Sequence, residues 1–132
     1  MGPRLYTNKL GDPPEAAEKF ELVYREGRWK TRSFQNCLHT AKGRHIFVVH
    51  ADGTLLISRR RTNRHSGKII SHVDLSAGQD VQFAGEVNFG GKSAQHGILK
   101  WWNDKTGHYN DPDRPMNPAV VPLLPLGCFK PY

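Results

Sequence analysis

The prolines impose the first constraint. Six of the nine fall in "DPDRPMNPAVVPLLPLGCFKPY", residues 111–132. Proline has no amide donor and clashes with a preceding helical turn, so this stretch is neither a helix nor a central strand. It is expected to run extended over the rest of the fold as a Pro-rich tail, 113–132. There Val120, Val121, Leu123, Leu124 and Phe129 would cover an apolar patch.

Upstream, the signals are those of strands and tight turns. "FELVYREGRWKTR" reads as strand, turn at Glu26-Gly27, strand. In "RHIFVVHADGTLLISRR" two β-rich runs, Ile46–Val49 and Thr54–Ile57, flank a turn whose Gly53 can take positive φ. "VQFAGEVNF" reads as a strand in which Gly85 permits a bulge or a close backbone approach. "GILKWWN" is its expected partner across a Gly-rich loop. "PPEAAEKF", with Pro in the first turn followed by good helix formers, predicts a short helix over Pro13–Phe20. The expectation is a mainly β (α+β) fold: a small antiparallel sheet, barrel-like, of about six strands in hairpin order. An irregular arm, 1–12, would precede a single β-rich domain, 13–112.

Nineteen Lys and Arg against twelve Asp and Glu leave a net charge of +7. That balance suits RNA or another polyanion as partner, although charge alone does not place a site. No apolar run reaches the ~18 residues of a membrane-spanning helix, and the N-terminus lacks the apolar core of a signal peptide. A soluble protein is expected, cytoplasmic where it is made, with export by a route that reads no N-terminal signal left open. Cys37 and Cys128 form no disulfide framework, and whether they pair is open. No His or Cys pair has convincing ligand spacing, so no metal is expected.

Five stretches occur in one order: "FELVYREGRW", "HIFVVHADGTLLIS", "SHVDLSAG", "FAGEV" and "GILKWWNDKTGHYNDP". Together they resemble the core of the plant IQ-motif-containing (IQM) calmodulin-binding proteins and their bacterial and fungal relatives, over roughly residues 20–112. The chain departs from that pattern in three ways. It has no upstream IQ motif, so calmodulin binding does not carry over. It has Glu86 where the plant pattern usually has a basic residue. Asn110-Asp111 lengthens the corner before Pro112. The resemblance implies a fold and site residues more than a chemistry, and it is compatible with an effector or toxin domain. It maps His72 onto the family's histidine and His108-Tyr109 onto its corner.

Two chemistries fit these residues. Metal-independent RNA cleavage needs a general base, a general acid and donors for the phosphate charge. His72 and His108 suit the first two roles, because imidazole titrates near neutral pH. Thr106, Tyr109 and the basic run "RRRTNRHSGK", through Arg59, Arg60, Arg61 or Lys68, would hold the phosphate, and Trp102 could stack a base. No cofactor is then required, and a cognate inhibitor or immunity protein would be the natural partner. The alternative is ADP-ribosyl transfer from NAD, with Arg4, Ser33 and Glu86 in the expected chain order. A third class, a non-catalytic interaction module, keeps the structural roles these residues also allow. A buried histidine can lock a turn onto a backbone carbonyl, Tyr109 can tie down a loop, Thr106 can cap the corner, and Glu86 can pair with an arginine. Of the adjacent Trp101 and Trp102, one is expected in the core.

Overall fold

The computed structural model describes residues 5–59, 67–121 and 123–132. Seven strands form one antiparallel sheet: β1 Phe20–Arg25, β2 Arg28–Arg32, β3 Leu38–Thr40, β4 Gly43–His50, β5 Leu55–Ser58, β6 Val81–Phe89 and β7 Leu99–Trp102. Their spatial order is β3-β2-β1-β5-β4-β6-β7. Two hairpins follow the sequence closely. Glu26 and Gly27 both adopt positive φ (55° and 76°), the geometry whose twist suits a two-residue β-turn. Between β4 and β5, Gly53 takes φ 89° and Asp52 Oδ1 accepts the Thr54 amide at 2.9 Å. The hairpin order breaks at β1, which pairs on its far side with β5. The short strand β3 carries no sequence signal of its own.

Register sorts the side chains, because directly paired antiparallel residues share a face. Phe47, Phe83 and Trp102 lie on one face, with ring centroids 5.6–6.2 Å apart, and Phe129 of the tail closes on Trp102 at 4.7 Å. The tail also protects the β7 edge: Lys130 N donates to the Trp102 carbonyl at 2.9 Å. Val121 and Leu124 join the core, whereas Leu123 is exposed. The other face carries Ile46, Val48, Leu56 and Ala84 and is covered by a helix, α1 His72–Ser76. The sheet is curled: the start of β2 and the residue after β3 meet the β6–β7 loop, with Trp29 N bonded to Gly97 O at 2.8 Å and Gly97 N to Ala41 O at 2.6 Å.

The N-terminal helix expected over Pro13–Phe20 is absent. Residues 13–19 are irregular, and Phe20 opens β1. Tertiary partners hold this segment in place of a helical ladder. Glu15 N donates to Asp74 Oδ1 (2.8 Å), the Glu18 carbonyl accepts from Ser58 Oγ (2.6 Å), and Lys19 Nζ reaches the Asp74 carbonyl (3.3 Å). Two turns of helix cannot outweigh such contacts. The helix forms instead at "HVDLS", where Asp74 Oδ2 accepts the Ser71 amide at 2.9 Å and Ala77 closes the helix in the left-handed region. Cys37 and Cys128 are not bridged. Among the described residues no helix is long and apolar enough to cross a membrane.

Gly85 is required by contact. A Cβ on Gly85 would lie 1.8 Å from the Asn103 carbonyl oxygen. Gly85→Ala must push the end of β7 away from β6. We expect it to lower unfolding free energy by about 3 kcal/mol, read as a lower urea midpoint. A midpoint equal to wild type would show that this approach is not required.

Candidate functional site

The chain leaving β7 builds the site. Asn103 is buried and continues the pairing beyond the strand: its amide donates to the Glu86 carbonyl (2.9 Å), and its Oδ1 accepts the Glu86 amide (2.9 Å). Asn103 Oδ1 also accepts the Lys105 amide at 3.0 Å, which turns the chain. The corner that follows lies over β6 beside the start of α1. Between them is a cleft of about 340 Å³, lined by His72, Glu86, Lys105, Thr106 and His108 on a floor that includes Ile46, Ile70 and Leu10.

Each imidazole is oriented through Nε2. The buried His72 donates its Nε2–H to the Gly85 carbonyl at 2.7 Å. His108 Nε2–H donates to Asp12 Oδ2 at 2.9 Å, and the His108 carbonyl accepts the Lys9 amide at 2.6 Å. Asp12 thus fixes the His108 ring and leaves Nδ1 as its proton acceptor. Glu86 is 3% exposed. Burial alone would raise its pKa, but bonds from Arg44 (Nε to Oε2, 3.0 Å) and Asn103 (Nδ2 to Oε1, 3.2 Å), with Lys105 nearby, hold it below the ordinary glutamate value. The cleft therefore contains an ionised carboxylate, two oriented imidazoles and an ammonium group. Among the described residues no group of three or more His, Cys, Asp or Glu is placed to hold a metal ion.

Four residues singled out in the sequence meet here: His72, Glu86, Thr106 and His108. Others do not. Tyr109 does not line the cleft: it is fully buried, its hydroxyl 2.5 Å from Ser76 Oγ and donating to the Gln79 carbonyl at 2.8 Å. Burial pushes its phenol pKa up, against the bond from Ser76, so it is a neutral tie between the corner and the end of α1. Thr106 Oγ1 accepts the Tyr109 amide at 3.4 Å, a weak cap on the same corner. Trp102 is not available for stacking on a base, being fully buried with Nε1–H given to the Pro125 carbonyl at 2.8 Å. Arg59 is exposed and lines a different cleft. Lys68 lies 3.7 Å from Glu15 and borders a shallower depression that His108 also touches. Arg4, Arg60 and Arg61 lie outside the described residues. Ser33 sits in the β2–β3 turn, accepting the Cys37 amide at 3.1 Å, and does not line the cleft that Glu86 lines.

Sequence reasoning missed Asp12, Arg44, Asn103 and Lys105. Lys105 stood next to Thr106 in the corner motif and carried a local signal. The other three are defined by partners 17 to 96 residues away.

The Glu86 balance yields an acid-stability prediction. A carboxyl whose pKa is lower folded than unfolded contributes stability above its unfolded value, and loses it as pH falls through the folded one. Arg44→Ala removes the Arg44 bonds and charge and leaves only Asn103 and Lys105 to oppose desolvation. Acid unfolding should begin at higher pH in Arg44→Ala than in wild type, with about 1–2 kcal/mol lost at pH 7. Superimposable acid limbs would mean that Arg44 does not hold Glu86 ionised.

A family model described as the IQ motif-containing protein middle domain matches residues 16–116. No curated protein and no solved structure matches the chain. The matched span takes in β1 to β7, α1, the Asn103 turn and the His108 corner. By that match the chain belongs to the IQ motif-containing protein middle-domain family.

Proposed function

We propose that the cleft between α1, β6 and the 103–109 corner is an active site that cleaves RNA by acid–base catalysis without a metal. The supporting observation is the meeting of His72, His108 and an ionised Glu86 in one cleft. His108, oriented by Asp12, takes the proton of the 2′-hydroxyl. The 2′-oxygen attacks phosphorus, the bond to the 5′-oxygen breaks, and a cyclic 2′,3′-phosphate remains. His72, anchored on the Gly85 carbonyl, gives the leaving 5′-oxygen its proton. Lys105 and the Thr106 hydroxyl take the phosphate oxygens, and the apolar floor takes the base. In this reading the domain acts as an effector or toxin, and a partner protein that covers the cleft would protect the cell that makes it.

The test is cleavage of a fluorescent oligoribonucleotide in the presence of chelator. Wild type should cleave with a bell-shaped pH profile. His72→Ala and His108→Ala should each lose about 10²–10⁴-fold in rate, with Asp12→Asn less affected. Intact RNA with label transferred from NAD, lost in Glu86→Gln, would move the site to ADP-ribosyl transfer. Turnover of neither would make the domain a binding module and the histidines structural.

A further inference from the structure

A second cleft, of about 300 Å³, opens on the sheet face that bears Phe47. It is lined by Thr31, His39, Thr40, Lys42, His45 and Arg59, among others. Among the described residues no carboxylate lines it, in contrast to the Glu86 cleft. His45 projects into it from β4, 5% exposed, its ring edge-on to Phe89 with centroids 5.9 Å apart. Its Nδ1 is the one buried side-chain polar atom among the described residues without a hydrogen-bond partner. A buried polar atom left unpaired costs stability, and folded proteins rarely leave one so without a use. Three further basic side chains line the cleft: His39, Lys42 and Arg59. The neighbouring hydroxyls of Thr31 and Thr40 add donors.

We propose that this cleft binds a phosphate group, with His45 Nδ1–H, Arg59 and Lys42 as its donors. The site is independent of the RNA-cleavage reading and lies outside that cleft. Without an anion, burial first and the Arg59 charge second push the His45 pKa down to about 4, against a hydrogen bond that the ring gives to the Gly43 backbone, so the ring is neutral at pH 7. A phosphate between Arg59 and His45 reverses the charge effect and supplies the missing acceptor. Binding and protonation of His45 are therefore linked. Charge-assisted bonds of this kind are short and strong, and Arg59 can offer two in parallel.

The experiment follows the His45 imidazole signals by NMR in the full chain, titrated with inorganic phosphate at pH 7. The signals should move saturably at millimolar phosphate, and the ring's titration midpoint should rise from about 4. Arg59→Ala, at an exposed position, should keep the fold and weaken binding about tenfold. A short oligonucleotide that binds tighter than inorganic phosphate would assign the group to a nucleic-acid chain. Equal affinity would assign it to a free phosphate; either result supports the site. His45 signals that stay still while those of exposed histidines move, or an Arg59→Ala variant with unchanged affinity, would overturn it.

Discussion

Asn103 joins the sheet to the cleft. Its amide and side chain bond both backbone groups of Glu86 and one carboxylate oxygen. The same Oδ1 then accepts the Lys105 amide. One side chain thus extends the β6–β7 pairing past its last strand residue, holds Glu86 in place and starts the turn that carries His108. The geometry works only because residue 85 has no Cβ: the Asn103 carbonyl occupies that space. The Gly85 carbonyl is also where His72 docks. Both halves of the cleft are therefore referenced to the same two residues of β6. A small displacement of β6 at these residues would move the carboxylate and the anchor of His72 together.

The strands were legible because their signals are local. Alternation, β-branched residues and the turns at Glu26-Gly27 and Asp52-Gly53 placed β1, β2, β4, β5 and β6 within a few residues. The helix over Pro13–Phe20 was not legible, since the partners that prevent it, Asp74 and Ser58, lie about 40 to 60 residues away. The cleft was half legible. A corner with Thr106, His108 and Tyr109 and a second histidine element marked the right neighbourhood. Which of these side chains faces solvent depends on what packs behind them. Tyr109 turned inward because Ser76 and the Gln79 carbonyl at the end of α1 give its hydroxyl partners. Trp102 turned inward because the Pro-rich tail supplies both a ring and a carbonyl for it.

The excess of positive charge belongs to neither cleft as a whole. Many of the basic side chains stand in surface pairs, such as Lys30 with Glu26 and Arg32 with Glu21. Such exposed pairs are worth little and are screened by salt. What distinguishes the clefts is the state of one buried group in each. At Glu86 the surrounding donors outweigh desolvation and keep a charge inside. At His45 desolvation and a nearby cation outweigh the backbone bond and keep a charge out. The first arrangement leaves a fixed anion in the cleft where proton transfer is proposed. The second suits capture of an anion, because a ligand can supply both the acceptor and the charge that His45 lacks. Net charge raises the chance of encounter with a polyanion. In the proposed readings, buried neighbours decide what each cleft does with such a polyanion.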